Sequence, residues 1–249
     1  MKKILLCAPV HEKKHIFVEY LKALRKLEVP NGYKLDKMFV LHNCEHLTSL
    51  LAQDEGVVIN NNKSKYTKDE QTHHWKQNNF NDVVAMKNML IQIALQQNYD
   101  YIFYVDSDLI LHEKTLIDLL EADKDMISEI FWTKWLNDGK EQEMPNAWHF
   151  DHYSFIQEEL DKLRSVKGYH RVGMTGACTL IKRKVLKAGV NWNMIPNLSI
   201  TQWEDRAFCI KATVAGFEIW TSNNYPAIHL YRESEYLKYM EGGANNAQC

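Results

Sequence analysis

The chain of 249 residues is short of cysteine, of basic runs and of long apolar stretches. Its five cysteines, Cys7, Cys44, Cys178, Cys209 and Cys249, are scattered and odd in number, with no Cys-x-x-Cys pair. That argues against both a disulfide scaffold and a structural zinc, and fits a reducing, cytoplasmic setting. The net charge is −2 with no cluster of Lys or Arg, so a nucleic-acid groove or an anionic membrane surface has no electrostatic footprint. No apolar run approaches the roughly 20 residues that span a bilayer. The opening Met1-Lys2-Lys3 and Ile4-Leu5-Leu6 look at first like an export signal. The apolar run ends at Val10 and meets His11-Glu12-Lys13-Lys14, too short and too soon charged for one. Internal repeats and linkers are also missing.

What is present is a 45% apolar chain long enough for a sizeable core. One large domain is expected. The first half alternates strand and helix in the manner of a parallel sheet: strands at 4–8, 37–41, 57–59 and 101–105, helices at 14–27, 46–53 and 80–97. Further on, helices are expected at 113–121, 154–163 and 203–215, strands at 126–131, 178–181 and 217–221, and a short helix with a frayed tail from 232. The stretch between 131 and 152 reads as tryptophan-rich and polar without an assigned element. Segment 60–79 is polar, with a triple Asn and four Lys. A loop of that length is usually functional or disordered; with His73-His74-Trp75 it is expected to be a lid that orders over a ligand, a bland solvated loop being the alternative. Adjacent histidines without a Cys cluster do not suit zinc.

Asp106 and Asp108 stand where the buried aromatic strand 101–105 runs out into solvent. Alternate side chains of an extended segment point the same way, and ligands of open α/β sheets gather outside the carboxyl ends of strands. Two hard oxygen donors there suit Mg²⁺ or Mn²⁺ against a diphosphate. A strand-end carboxylate also serves simply to cap a helix.

Four features in register resemble a GT-A glycosyltransferase over about 4–231. Asp106-Ser107-Asp108 resembles the metal and nucleotide motif, and Gly173-Met174-Thr175-Gly176-Ala177 the glycine loop beside the donor sugar. Trp203-Glu204-Asp205 is similar to the motif carrying the catalytic base at a helix start, and His229, after Pro226, to the late metal-binding histidine. The resemblance implies an α/β fold with a mixed, mostly parallel sheet flanked by helices. A nucleotide-binding half (about 1–111) would join an acceptor-binding half (about 112–231), leaving 232–249 as C-terminal helix and tail. Family 2 is the nearest likeness, since Lys87-Asn88 stands where it carries Arg-Asn. The loops Pro9-Val10-His11-Glu12 and His42-Asn43-Cys44-Glu45 depart from that family's pattern.

The implied reaction is transfer from a nucleoside-diphosphate sugar, UDP-linked, to an unidentified acceptor with inversion, assisted by Mn²⁺ or Mg²⁺. Asp108 and His229 would hold the metal, and Asp106 the metal or ribose. Pro9, His11, Glu45, Trp75, Lys87 and Ser107 would contact the nucleotide, while Thr175, Gly176 and Trp203 would border the donor sugar or acceptor. Asp205, with Glu204 beside it, would be the base. Each has a plainer reading: His229 and Trp203 as core side chains, Glu204 and Asp205 as helix caps, Gly176 as part of a turn. Three rivals remain. A sugar nucleotidyltransferase would show a Gly-x-Gly-x-Arg loop after the first strand, which is missing. A non-catalytic binding module would bind UDP and Mn²⁺ without turnover, and a metal phosphohydrolase would act without a sugar donor. The Gln-x-x-Arg-Trp motif of processive synthases is missing too.

Overall fold

A computed structural model of the chain describes residues 1–42, 44, 46–61, 77–137, 140–154, 157–196, 198 and 203–246. Glu45, Trp75 and most of the expected lid lie outside them.

The first half runs β1 (Lys2–Val10), α1 (Lys14–Lys26), β2 (Tyr33–Leu41), α2 (His46–Glu55), β3 (Val57–Asn60), α3 (Gln77–Gln96) and β4 (Tyr101–Tyr104). The second runs β5 (Leu109–Ile110), α4 (Thr115–Glu121), β6 (Met126–Asn137), β7 (Lys140–Pro145), β8 (Ala147–Trp148), α5 (Gln157–Ser165), β9 (Tyr169–Val172), β10 (Met174–Thr175), β11 (Thr179–Lys182), α6 (Arg183–Lys187), α7 (Glu204–Val214), β12 (Ile219–His229) and α8 (Glu233–Asn246).

The main sheet has the order β3-β2-β1-β4-β11-β6-β12-β5, with β7 on β6 and β9 on β12. β3, β2, β1 and β4 are parallel throughout. β11 enters antiparallel between β4 and β6, and β12 returns parallel to β6. The mixed, mostly parallel α/β sheet expected from the sequence is therefore present. Strands such as Ile4–Ala8 are closed to solvent on both faces, which is why they read as continuous apolar runs rather than alternating ones. α1 and α4 pack with Leu6, Phe39 and Phe103 on one face. α3, α6 and α7 pack with Leu5, Val40 and Ile102 on the other. Val10 pairs with Leu41 and Cys7 with Tyr104, so the loops after β1, β2 and β4 emerge at one edge.

The second half differs from expectation in its strand lengths. β6 continues beyond 131 because it forms a hairpin with β7, from Trp132 opposite Pro145 to Asn137 opposite Lys140. The polar sequence of β7 has no strand signature of its own and takes its conformation from the pairing. β12 continues beyond 221, with a register shift between Ser222 and Ala227. The helix α8 runs through Gly242 to Asn246, where fraying was expected. Among the described residues no helix is long and apolar enough to cross a membrane.

Candidate active site

The aligned strand ends make a cleft of about 130 Å³. Pro9, Val10, His11 and Glu12 after β1, His42 after β2, and Asp106-Ser107-Asp108 after β4 line it, with Met86 and Lys87 of α3 and Glu204 of α7. His11 Nδ1 lies 2.5 Å from the His42 carbonyl oxygen, and His42 Nδ1 2.9 Å from that of Asn61. A carbonyl only accepts, so each imidazole carries a proton on Nδ1. The expected nucleotide contacts Pro9, His11 and Ser107 are thus brought to one cleft with both aspartates. His42, Asn79, Asp82 and Met86 also line it, and nothing in their spacing marked them.

Asp108 meets His229 across the sheet. Leu109 of β5 pairs with His229 of β12, and Leu230 N–H donates to the Asp108 carbonyl at 2.8 Å. The backbone ladder therefore fixes the separation of the two side chains, His229 Nε2 to Asp108 Oδ2 at 3.4 Å. On its other side His229 Nδ1 is 2.8 Å from Thr133 Oγ1, and the Phe131 ring stands edge-on at 4.8 Å. A ring held through Nδ1 keeps Nε2 directed at the Asp108 carboxylate, where the two could share a cation. Among the described residues no three His, Cys, Asp or Glu side chains converge as a closed cluster, so Asp106 does not complete a three-ligand cage. One carboxylate and one imidazole suit a cation that takes its remaining ligands from water and substrate phosphate, as Mg²⁺ and Mn²⁺ do.

Lys87, expected at the nucleotide, lines the cleft and is also bound to α7. Its buried Nζ donates to Glu204 Oε1 at 2.8 Å and Asp205 Oδ1 at 2.9 Å, and stands 4.3 Å from the Trp192 ring centre. Burial works to lower its proton affinity, but the carboxylates of Asp205, Glu204 and Asp106 outweigh that and raise it, so Lys87 stays charged. One cation then faces three carboxylates. Burial raises Asp106 to about 6, opposed by Lys87 and aided by Asp108 and Glu204. Asp205 rises to about 7 for the same first reason, with Lys87 opposing and Glu204 and Asp106 reinforcing. The excess negative charge is what a divalent cation would relieve.

The glycine segment lies against this group. A Cβ on Gly176 would come 2.3 Å from Asp205 Oδ2, and one on Gly173 would strike the His149 carbonyl at 2.1 Å. Backbone contact requires glycine at 173, and a side chain at 176 would have to displace the Asp205 carboxylate. Thr175 is turned inward, its hydroxyl donating to the Asn146 carbonyl at 3.1 Å and also bonded to Ser128. It shapes the segment and does not face the cleft. Trp203 precedes α7, is 44% exposed, and meets the Phe80 ring edge-on at 6.0 Å. Asn146, which the sequence did not mark, binds both β6 and Gly176.

The family model described as the N-terminal domain of glycosyltransferase family 25 matches residues 3–138, more than half of the chain. The chain belongs to glycosyltransferase family 25. The GT-A resemblance drawn from the sequence holds, and the family is 25 rather than family 2, the nearest likeness in the sequence. A "Glycosyltransferase 25 family member" of Anopheles gambiae is 21% identical over 185 residues, 68% of this chain and 29% of the relative. The family 25 chain thus spans under a third of that relative's length. Among solved structures, GalNAc-T7 with UDP, GalNAc and Mn²⁺ superposes with a TM-score of 0.60 at 13% identity, covering 93% of this chain and 44% of that one. The mannosyltransferase PcManGT of Pyrobaculum calidifontis, with GDP-Man and Mn²⁺, gives 0.56 at 12% identity, covering 91% and 56%. S. aureus TarS with UDP-GlcNAc gives 0.50 at 14%, covering 92% and 58%. At these identities the likeness establishes the GT-A fold.

Proposed function

We propose that the chain transfers a sugar from a UDP-linked donor to an acceptor hydroxyl, with Mn²⁺ or Mg²⁺ and with inversion. Residues 1–111 would bind the nucleotide and 112–231 the acceptor, in the cytoplasm. The observation that carries this reading is the meeting at one sheet edge of the Asp108–His229 pair and the Lys87-bound Asp205. Family membership supports it, and so do the nucleotide and Mn²⁺ bound in two structural neighbours.

Asp108 and His229 would hold the cation, which when bound stabilises negative charge on the departing diphosphate. Lys87 holds Asp205 through Oδ1, leaving Oδ2 as the oxygen that takes the acceptor's proton. A carboxylate raised to about 7 has a proton affinity matched to that task near neutral pH. The exposed face of Trp203 offers an apolar surface to a sugar ring. The 130 Å³ cleft between His11 and Lys87 would receive the nucleotide.

A panel of nucleotide sugars in thermal-shift assays, with and without Mn²⁺, tests this. A true donor at 100 times its Kd stabilises by about 2.7 kcal/mol, and the shift should vanish in EDTA. Shifts that are equal with and without the metal, or none for any nucleotide sugar, would reject the reading.

A further inference from the structure

We infer that Asn146 is a positioning residue that sets the spacing between the two halves of the active centre; the inference rests on the glycosyl-transfer reading for its kinetic consequence. Asn146 sits between β7 and β8, 5% exposed, with every polar atom used. Its side-chain oxygen accepts from Phe131 N–H at 2.9 Å, and its amide nitrogen donates to the carbonyls of Glu129 at 3.1 Å and Gly176 at 3.0 Å. Its backbone N–H donates to the Phe131 carbonyl at 3.1 Å, and its carbonyl accepts from Gly176 N–H at 3.3 Å.

Each end of this bracket leads to a functional side chain. Phe131 stands edge-on to His229, and Thr133, two residues along the same strand, holds His229 Nδ1. Gly176 lies so close to Asp205 that a methyl group there would overlap Oδ2. The distance from the metal-facing imidazole to the base is therefore transmitted through one planar amide. Its two donors and one acceptor cannot be shifted by an ångström without breaking a bond. Misplacement on that scale is enough to cost about 10²-fold in rate.

Asn223 supplies a matched control. It is 1% exposed, its amide donates to Leu163 and Val166 carbonyls, each at 2.8 Å, and its oxygen accepts from Gly168 N–H at 2.8 Å, away from the cleft. Asn146→Ala and Asn223→Ala should lose comparable thermal stability. Only Asn146→Ala should lower kcat, by about 30- to 100-fold, with the KM for the donor within twofold. Asn146→Ser, which keeps one donor, should recover part of it. Equal kcat losses in both alanine variants, or an unchanged kcat in Asn146→Ala, would overturn the inference. Hydrogen exchange gives an arm independent of turnover. Protection should fall at 174–176 and in the first turn of α7 for Asn146→Ala, and at 163–168 for Asn223→Ala. If protection at 174–176 and 203–206 is unaffected, the inference fails whatever the kinetics. If it falls as expected while the parent turns over no donor, the bracket stands and the glycosyl-transfer reading fails.

Discussion

Two groups of carboxylates lie on opposite faces of the sheet, one half-buried and one buried, and they are treated differently. On the α3 and α7 face, Asp106, Glu204 and Asp205 share the charge of Lys87, and Asp106 and Glu204 line the cleft. On the α4 face, Asp118 and Glu129 are held by neutral groups. Asp118 accepts from Ser222 at 2.6 Å, Tyr169 at 3.0 Å and Asn224 at 2.8 Å, while Glu129 Oε1 accepts from Tyr225 N–H at 3.3 Å. Glu129 is fully buried and its Oε2 has no hydrogen-bond partner. Burial, reinforced by Asp118, raises it to about 9, so at neutral pH it is a protonated acid. A buried carboxylate kept ionised needs a cation and an opening. One kept neutral needs only a shell of dipoles, and it is the former that marks chemistry.

The comparison can be broken most decisively at Asp205. Asp205→Asn keeps the size and removes the proton acceptor, so turnover should fall by about 10²–10⁴-fold with UDP affinity nearly unchanged. Steady-state kinetics beside calorimetric titration checks this, and transfer at close to the parent rate would place the base elsewhere. Next in size, Asp108→Ala should weaken UDP binding by about tenfold or more, and EDTA should do the same to the parent. Undiminished affinity in EDTA would remove the metal from the account.

Lys87→Met removes the cation from three carboxylates. Breaking a buried pair in this way costs about 3–5 kcal/mol, measurable by urea unfolding. A loss below about 1 kcal/mol would mean that the carboxylates do not depend on it.

Glu129 gives the smallest effect, with an opposite sense. Its folded value of about 9 stands above the ordinary 4.5, so the folded chain binds that proton more tightly than the unfolded one. The contribution is fully present below about pH 4.5 and is lost as the pH rises toward about 9. Glu129→Gln should abolish this slope and leave the variant a few degrees more heat-stable than the parent near pH 8. Parallel stability curves for the two proteins would refute the assignment.

The sequence discloses these regions unequally. The parallel half was legible because Ile4–Ala8, Met38–Leu41 and Tyr101–Val105 are buried apolar runs whose physics is local. The Asp106-Ser107-Asp108 edge followed from where β4 ends. The far part of β12 was not legible, since Ser222 and Asn223 are polar yet at most 1% exposed. Their burial is balanced by partners distant in sequence, Asp118, Leu163 and Val166. Lys87 was marked by its likeness to an Arg-Asn pair, while its partners on α7, more than a hundred residues away, left no sign in the sequence. Asn146 carries no spacing signal at all.

The ladder between β5 and β12 joins only Ile110 to Ile228 and Leu109 to His229. A ribosome-bound chain therefore carries Asp106-Ser107-Asp108 long before it has the imidazole that faces Asp108. The imidazole arrives on a strand that follows the acidic motif by more than a hundred residues, and a product that stops short of β12 retains the motif without its partner. One short pairing thus both completes this edge of the sheet and sets the imidazole beside the carboxylate.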